Sequence, residues 1–189
     1  MARIILASGS PRRQELLQRI GIEDFTVVKP EVEECYPPEL TPPEIVSHIS
    51  RQKSLAVSSG EEEIVITADT MVFLEQQKLG KPRDEAQALE MLTALQGRRH
   101  TVCTGVTVRQ GTHLMTRSAS TDVYFRPASQ EELRAYIRGG EPMDKAGAYG
   151  VQGQGSLLVE RIDGDFFNVM GLPVLLLSRM LKEFGVNLL

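Results

Sequence analysis

Residues 4–17 read IILASGSPRRQELL, and this stretch predicts a strand, a tight turn and a helix in direct succession. The apolar run at residues 4–7 is typical of a buried strand, and Ser8-Gly9 supplies the turn. Ser10 is a favoured N-cap residue, and Pro11 is a favoured first residue of a helix. We therefore expect a helix that begins at Pro11, directly after a core strand.

Two arginines, Arg12 and Arg13, occupy the first turn of that predicted helix. This end of a helix presents unpaired N–H groups and the positive end of the dipole, which disfavours a cation by about 0.3–1 kcal/mol. An anion between the helix and the two guanidinium groups would remove the conflict. A polyphosphate is the obvious candidate, because arginine binds phosphate oxygens in pairs. The alternative is that both side chains point into solvent.

The composition is that of an ordinary globular protein, with 189 residues, 41% hydrophobic and 24% charged. A net charge of -4 argues against a nucleic-acid or anionic-membrane surface, because such partners select basic patches. Two cysteines, Cys35 and Cys103, lie in no metal or redox motif, which favours a reducing compartment. We find neither a leader pattern nor an apolar run of about 20 residues. We expect a cytoplasmic protein with no nucleic-acid or membrane partner.

Further elements follow from periodicity, turn residues and helix caps. Strands are predicted at residues 25–28, 64–74, 98–109, 115–126, 157–163 and 166–170, the second of them broken near its middle. Helices are predicted at residues 42–58, 85–96, 130–139 and 173–184. Between them, residues 144–155 form a glycine-rich loop. This mixture predicts an α/β (mixed α+β) fold with a partly antiparallel sheet.

Familiar catalytic motifs are absent from the sequence, including the phosphate loop G-x-x-x-x-G-K-[ST], G-x-G-x-x-G, H-E-x-x-H and C-x-x-C. Its three histidines, His48, His100 and His113, form no cluster, so we interpret each as structural or exposed.

What remains is a set of basic residues and carboxylates in loops or at strand ends: Arg12, Arg13, Lys53, Lys81, Lys145, Glu33 and Asp69. This set is typical of a triphosphate site, where cations neutralise phosphates and carboxylates hold a divalent ion or activate water. Each lysine, and Glu33, could instead be a solvated surface charge. Asp69 is the strongest candidate, because it interrupts an apolar strand and a buried carboxylate needs a partner.

Several motifs together resemble the Maf family of nucleotide pyrophosphatases, in order from residue 4 to about residue 180. They are Ser8-x-Ser10-x-Arg12-Arg13-x-x-Leu16-Leu17, Ala68-Asp69-Thr70, Gly80-Lys81-Pro82, Thr104-Gly105-Val106, Glu141-Pro142-x-Asp144-Lys145-Ala146-Gly147-Ala148-Tyr149-Gly150 and Gly171-Leu172-Pro173. The resemblance implies one domain, residues 1–189, of two lobes around an elongated mixed sheet, similar to inosine triphosphate pyrophosphatases. It also implies an active cleft between the lobes.

The resemblance further implies hydrolysis between the α- and β-phosphates of a nucleoside triphosphate, with Mg²⁺ or Mn²⁺. Asp69 resembles the family's proton acceptor and a metal ligand, with Lys53 and Lys81 as further catalytic residues. Glu33 resembles the other metal ligand, although Glu34 beside it is equally available. The implied substrate-binding residues are Ser8, Arg12, Arg13, Thr70, Lys145 and Gln152.

Three of these positions, Arg12, Thr70 and Gln152, resemble the branch of the family that acts on dTTP and UTP. A glutamine amide can both donate to a pyrimidine carbonyl and accept from its N3–H. The 7-methyl-GTP branch, which we keep as an alternative, carries an acidic residue at position 152. Two further alternatives are a nucleotide-binding regulator of septum formation and cell division with little turnover, and a domain that binds only protein. A homodimer is an expectation from the resemblance alone.

Overall fold

The computed structural model describes residues 3–189, which form a mixed α/β fold. Seven strands and six α-helices lie within that range. The strands are β1 (Ile4–Ala7), β2 (Phe25–Val28), β3 (Ile64–Leu74), β4 (Gln77–Leu79), β5 (Arg99–Gln110), β6 (His113–Phe125) and β7 (Val159–Asp163). The helices are α1 (Pro11–Arg19), α2 (Pro42–Leu55), α3 (Glu85–Leu95), α4 (Gln130–Arg138), α5 (Phe166–Met170) and α6 (Val174–Glu183).

All seven strands belong to one sheet in the order β2-β1-β3-β5-β6-β7, with β4 paired to β3. Strand β1 runs parallel to both β2 and β3. The pairs β3–β4 and β6–β7 are antiparallel. The predicted mixed sheet is therefore confirmed.

Strand β3 runs without interruption from Ile64 to Leu74, so the predicted break near its middle is wrong. Ten of its eleven residues are buried, Asp69 among them. The strand continues through Asp69 because the carboxylate meets a cationic partner on the same side of the sheet, Lys53. A paired carboxylate does not have to break a strand in order to reach solvent.

Residues 166–170 form helix α5, so the strand predicted there is wrong. Asp165 favours the helix, because its Oδ1 accepts a hydrogen bond from the N–H of Phe167 at 2.8 Å in the manner of an N-terminal cap. Asn168 then holds the helix, since its side-chain amide donates to the carbonyl of Val102 at 3.0 Å and to Thr121 Oγ1 at 2.9 Å.

Helix boundaries differ from the prediction by a few residues. Helix α2 ends at Leu55 rather than at residue 58. The guanidinium group of Arg109 donates to the carbonyls of Ser54 at 3.1 Å and Val57 at 2.7 Å, which satisfies backbone acceptors at that end. Strand β7 begins at Val159 because Gln154–Leu158 form a 3₁₀ turn.

The chain divides into two compact units, each with its own apolar core. The first unit comprises the described residues up to Asp69 together with Thr104–Ala119 and Gly171–Leu189. The second comprises Thr70–Cys103 and Ser120–Met170. None of the helices in residues 3–189 has the length and apolar character needed to span a bilayer.

Candidate active site

In the first unit, the turn between β1 and α1 places Arg13 against Ser8. The helix begins at Pro11 with Ser10 as its N-cap, as predicted, and its first turn contains no acidic residue. Arg13 Nη1 donates to Ser8 Oγ at 3.0 Å, and its Nε donates to the carbonyl of Gly171 at 2.8 Å. These two bonds fix the guanidinium group beside the helix N-terminus.

Burial lowers the pKa of Arg13 from 12.5 to about 10, because the charged form is poorly solvated. The carboxylates of Asp69 and Glu34 oppose this lowering, and the neighbouring charge of Arg12 adds to it. Arg13 therefore stays cationic at neutral pH and lies within electrostatic range of all three residues. A buried cation of this kind can bind an anionic ligand strongly.

Helix α2 lies against β3 and β5 through hydroxyl contacts. Thr67 Oγ1 of β3 donates to the carbonyl of Ser50 at 2.6 Å, and Ser50 Oγ lies 2.9 Å from Thr107 Oγ1 of β5. Lys53 follows Ser50 by one helical turn, and Asp69 follows Thr67 by one strand repeat on the same face. The same contacts that dock the helix therefore bring Lys53 to Asp69.

Gly105 of β5 permits this close docking. A Cβ atom at that position would lie 2.6 Å from the backbone N of Ser47 and would overlap the carbonyl group of Val46. Sequence reasoning noted the Thr104-Gly105-Val106 motif without assigning it a role. A glycine inside a predicted strand is the signal that another backbone approaches closely.

Lys53 bridges two carboxylates in the first unit. Its Nζ lies 2.7 Å from Asp69 Oδ1 and 2.8 Å from Glu34 Oε1. Only 8% of the Asp69 side chain and 17% of the Lys53 side chain are exposed, against 43% for Glu34. The pair Lys53–Asp69 is therefore shielded from solvent, whereas Glu34 approaches it from the surface.

One carboxylate oxygen of Asp69 takes no part in the contact with Lys53. Its Oδ2 is buried and has no hydrogen-bond partner, while Oδ1 accepts from Lys53. A buried carboxylate oxygen without a donor is costly unless it binds a cation, a water or a substrate proton. Asp69 Oδ2 is thus suited both to accept a proton and to ligate a hard metal ion.

Within residues 3–189, no group of three or more His, Cys, Asp or Glu side chains is placed to hold a metal ion by itself. Mg²⁺ often binds through one or two carboxylates together with substrate phosphates. The donor set of Asp69 with one acidic loop residue fits that mode of binding.

The acidic loop presents Glu33 and Glu34 differently. Glu34 contacts Lys53, whereas Glu33 is exposed and its backbone carbonyl accepts from the N–H of Cys35 at 2.9 Å. Of the two glutamates that the sequence left open, Glu34 is the one whose carboxylate contacts the Lys53–Asp69 pair.

In the second unit, the glycine-rich loop carries Lys145. Lys145 Nζ donates to Asp144 Oδ1 at 2.6 Å and to the backbone carbonyl of Glu141 at 2.9 Å. The N–H of Gly147 donates to the carbonyl of Gly80 at 3.1 Å, which ties the loop to the segment that carries Lys81. The exposed Lys81 and the half-buried Lys145 therefore belong to two segments joined by a backbone hydrogen bond.

The remaining predicted residues of this unit are Thr70 and Gln152. Thr70 is half-buried and follows Asp69 in β3, and Gln152 is exposed in the glycine-rich loop. The predicted site residues thus form two groups, one in each unit. The first group is Ser8, Arg12, Arg13, Glu33, Lys53 and Asp69, and the second is Thr70, Lys81, Lys145 and Gln152.

Chemically, the first group combines a buried base candidate with fixed cations, and the second supplies lysines and an amide. The first group can by itself neutralise phosphate charge and remove a proton from a nucleophile, and the second can neutralise negative charge.

The fold is shared with solved structures of Ham1 proteins. The Ham1 protein of Coxiella burnetii aligns with a TM-score of 0.54 at 13% identity, over 97% of this chain and 100% of that one. The Ham1 protein of Staphylococcus aureus aligns with a TM-score of 0.52 at 15% identity, over 96% of this chain and 98% of that one. At such identities the likeness concerns the fold alone.

Residues 3–184 match the family described as Maf-like protein, and the chain belongs to this Maf family. Curated relatives cover nearly the whole chain. A protein of Bacillus cereus named dTTP/UTP pyrophosphatase is 45% identical over 99% of this chain and 98% of its own length. A protein of the same name from Bacillus anthracis is 44% identical with the same coverage. The family resemblance predicted from the motifs is confirmed.

Proposed function

We propose that the protein is a nucleoside triphosphate pyrophosphatase that hydrolyses dTTP and UTP to the nucleoside monophosphate and pyrophosphate. The observation that carries the proposal is the geometry of Asp69, which is buried, held through Oδ1 by Lys53 and unpartnered at Oδ2. The names of the Bacillus relatives support the choice of reaction and substrates.

Asp69 acts in this proposal as the proton acceptor for the attacking water. Lys53 holds one oxygen of the carboxylate and so directs Oδ2 toward the water. General-base catalysis of this kind contributes about 10²–10⁴ in rate.

The cationic side chains act on the phosphates. Arg13, fixed by Ser8 and Gly171, neutralises charge beside the N-terminus of α1, and Arg12 shares that helix turn. Lys81 and Lys145 supply further positive charge from the second unit. Positioning and charge neutralisation account for most of the catalysis in phosphoryl chemistry.

A divalent cation, Mg²⁺ or Mn²⁺, is part of the proposal. Asp69 would be one carboxylate ligand, with Glu33 as the predicted second one and Glu34 as the glutamate nearest to Lys53. When bound, such an ion adds positive charge to the phosphate oxygens and makes a water more acidic.

Base selection is assigned to Arg12, Thr70 and Gln152. The exposed amide of Gln152 has a donor and an acceptor that can pair with a pyrimidine carbonyl and with N3–H. An acidic residue would suit the cationic 7-methylguanine base instead. We therefore favour dTTP and UTP over 7-methyl-GTP. A cytoplasmic location and a homodimer remain predictions.

The test is pyrophosphate release from a panel of nucleotides by the full-length protein. The panel contains dTTP, UTP, CTP, ATP, GTP and 7-methyl-GTP, each with Mg²⁺, with Mn²⁺ or with chelator. We expect metal-dependent turnover, greatest with dTTP and UTP, and equal amounts of monophosphate and pyrophosphate. Release of orthophosphate would contradict cleavage between the α- and β-phosphates. Preference for 7-methyl-GTP would contradict the assignment of Gln152, and binding without turnover would favour a regulatory protein.

A further inference from the structure

The carboxylate of Glu141 lies at the centre of the glycine-rich loop, residues 144–155. Its Oε1 accepts hydrogen bonds from the hydroxyl of Tyr136 at 2.9 Å and from the N–H of Gly155 at 3.0 Å. Its Oε2 accepts from the N–H of Gln154 at 2.8 Å. One side chain thus connects α4 with the far end of the loop, through bonds that the negative charge strengthens.

Glycines allow the loop to close around this carboxylate. A Cβ atom at Gly153 would lie 2.7 Å from Glu141 Cδ, and one at Gly155 would lie 2.7 Å from the Tyr136 hydroxyl. A Cβ atom at Gly150 would lie 3.1 Å from Glu141 Oε1. The spacing of these glycines therefore matches a backbone that wraps closely around Glu141.

Two further hydrogen bonds connect the loop to Tyr136 and to the backbone of Glu141. The N–H of Gly150 donates to the Tyr136 hydroxyl at 3.1 Å, and Lys145 Nζ donates to the backbone carbonyl of Glu141 at 2.9 Å. Burial raises the pKa of Tyr136, so the phenol stays protonated and can donate to Glu141. Glu141 and Tyr136 together thus hold both ends of the segment from Gly150 to Gly155.

Gln152 lies in the middle of that segment and is exposed. Its amide can select a base only if the backbone that carries it has a defined position. The loop contains no regular helix or strand around Gln152, so its position depends on the buried side chain of Val151 beside it and on the anchors at either end. Those anchors are the hydrogen bonds to Glu141 and Tyr136.

We propose that Glu141 is a positioning residue for substrate selection. Its carboxylate fixes the Gly150–Gly155 segment so that Gln152 faces the nucleotide base, and its carbonyl fixes Lys145. This inference rests on the proposed function, because it acts through two residues assigned to substrate binding.

The experiment compares Glu141→Ala with Glu160→Ala, a matched control at an exposed position of β7 in the same unit. For each variant, kcat and KM are measured with UTP and ATP, and backbone amide exchange is measured at Gln154 and Gly155. We expect Glu141→Ala to lower kcat/KM for UTP by about a hundredfold, because a small misplacement has effects of that size. The loss with ATP is expected to be smaller, so the UTP/ATP ratio falls.

A purely structural role would give a different result. Loss of folded protein lowers the apparent kcat equally for both nucleotides and leaves KM and the UTP/ATP ratio unchanged. An unchanged ratio, or protection of the two amides that equals wild type, would overturn the proposal. Tyr136→Phe keeps the ring and removes only the hydroxyl, so it provides a milder variant if Glu141→Ala does not fold. We expect it to change the ratio in the same direction by a smaller factor.

A double variant separates this proposal from the proposed function. If Glu141 acts through Gln152, the UTP/ATP ratio of Glu141→Ala/Gln152→Ala equals that of Gln152→Ala alone. Additive effects on the ratio would overturn the proposal. If the wild-type protein hydrolyses no nucleotide, the proposed function fails. In that case the affinities for UTP and ATP are measured without metal, in place of the rates. An equal ratio of the two affinities in wild type and Glu141→Ala would overturn the positioning role.

Discussion

Lys53 and Asp69 form an ion pair of 2.7 Å in which both side chains are largely buried, and only one oxygen of the carboxylate takes part. Asp69→Asn preserves the volume of the side chain and an oxygen that can accept from Lys53. We therefore expect a folded protein whose pyrophosphate release falls by about a hundredfold or more, because the base is lost. Circular dichroism and turnover with UTP check this. The exposed Asp163→Asn is the control, and substantial activity in Asp69→Asn would refute the assignment.

The same pair makes a prediction about stability. Lys53→Met leaves the buried Asp69 carboxylate without its cation, and breaking a buried pair in this way costs about 3–5 kcal/mol. The double variant Lys53→Met/Asp69→Asn also removes the buried carboxylate charge that Lys53 neutralised, so we expect it to be more stable than Lys53→Met alone. Urea unfolding at pH 7 measures all three proteins. A double variant less stable than Lys53→Met would show that the pair is not the source of the effect.

Glu33→Gln and Glu34→Gln form a matched pair that separates metal binding from support of Lys53. We expect Glu33→Gln to raise the Mg²⁺ concentration needed for half-maximal rate, because the sequence predicts that Glu33 ligates the ion. Glu34→Gln should lower the rate at saturating Mg²⁺, because Glu34 contacts Lys53 at 2.8 Å. Titration of the rate with Mg²⁺ distinguishes the two effects. If only Glu34→Gln shifts the titration, Glu34 is the metal ligand.

Gly105→Ala tests the docking of α2. The added methyl group would overlap the carbonyl group of Val46 and lie 2.6 Å from the N of Ser47, and neither backbone atom can move independently of the helix. We expect destabilisation of about 1–3 kcal/mol or more, and a loss of activity because Lys53 lies on the same helix. Gly60→Ala is the control, since its nearest contact is the Glu63 side chain at 3.6 Å. An unchanged urea midpoint in Gly105→Ala would refute the close approach.

Much of the fold follows from local signals that the structure confirms. The strand, turn and helix at residues 4–17, the buried run at residues 64–74 and the capping boxes at Thr41 and Ser129 all depend on neighbouring residues. The helix at residues 166–170 has one local signal, the cap by Asp165, but depends as well on contacts that the local sequence does not show. It is held by Asn168, whose partners Val102 and Thr121 lie far away in the sequence.

The candidate site also combines features that local sequence predicts with contacts that only the fold determines. Asp69 was identifiable from the sequence because a carboxylate inside an apolar strand needs compensation. The pairing of Asp69 with Lys53 was not identifiable, because it depends on how Ser50 docks against Thr67 and Thr107. The choice between Glu33 and Glu34 also requires the fold, since the two glutamates are adjacent in an irregular loop.

The buried position of His100 predicts how the free energy of unfolding depends on pH. It is buried in the second unit, with Nε2 at 2.7 Å from the hydroxyl of Tyr149 and its ring against Phe125. Burial lowers the pKa of His100 from 6.5 to about 4, although Asp122 opposes the shift. As the pH falls, the unfolded chain therefore binds a proton at His100 near pH 6.5, whereas the folded chain binds it only near pH 4.

The contribution of His100 to stability is present above pH 6.5 and is lost as the pH falls toward 4, by about 3 kcal/mol in total. His100→Gln removes the titrating group, so its urea midpoint should fall less than that of wild type over this range of pH. The quantity compared is the slope of the urea midpoint against pH and not the midpoint itself. The substitution also removes ring contacts with Phe125 and Tyr149, which changes the midpoint at every pH. His113→Gln, at an exposed histidine, is the matched control. Equal slopes for His100→Gln and wild type would show that another buried group controls the response to acid.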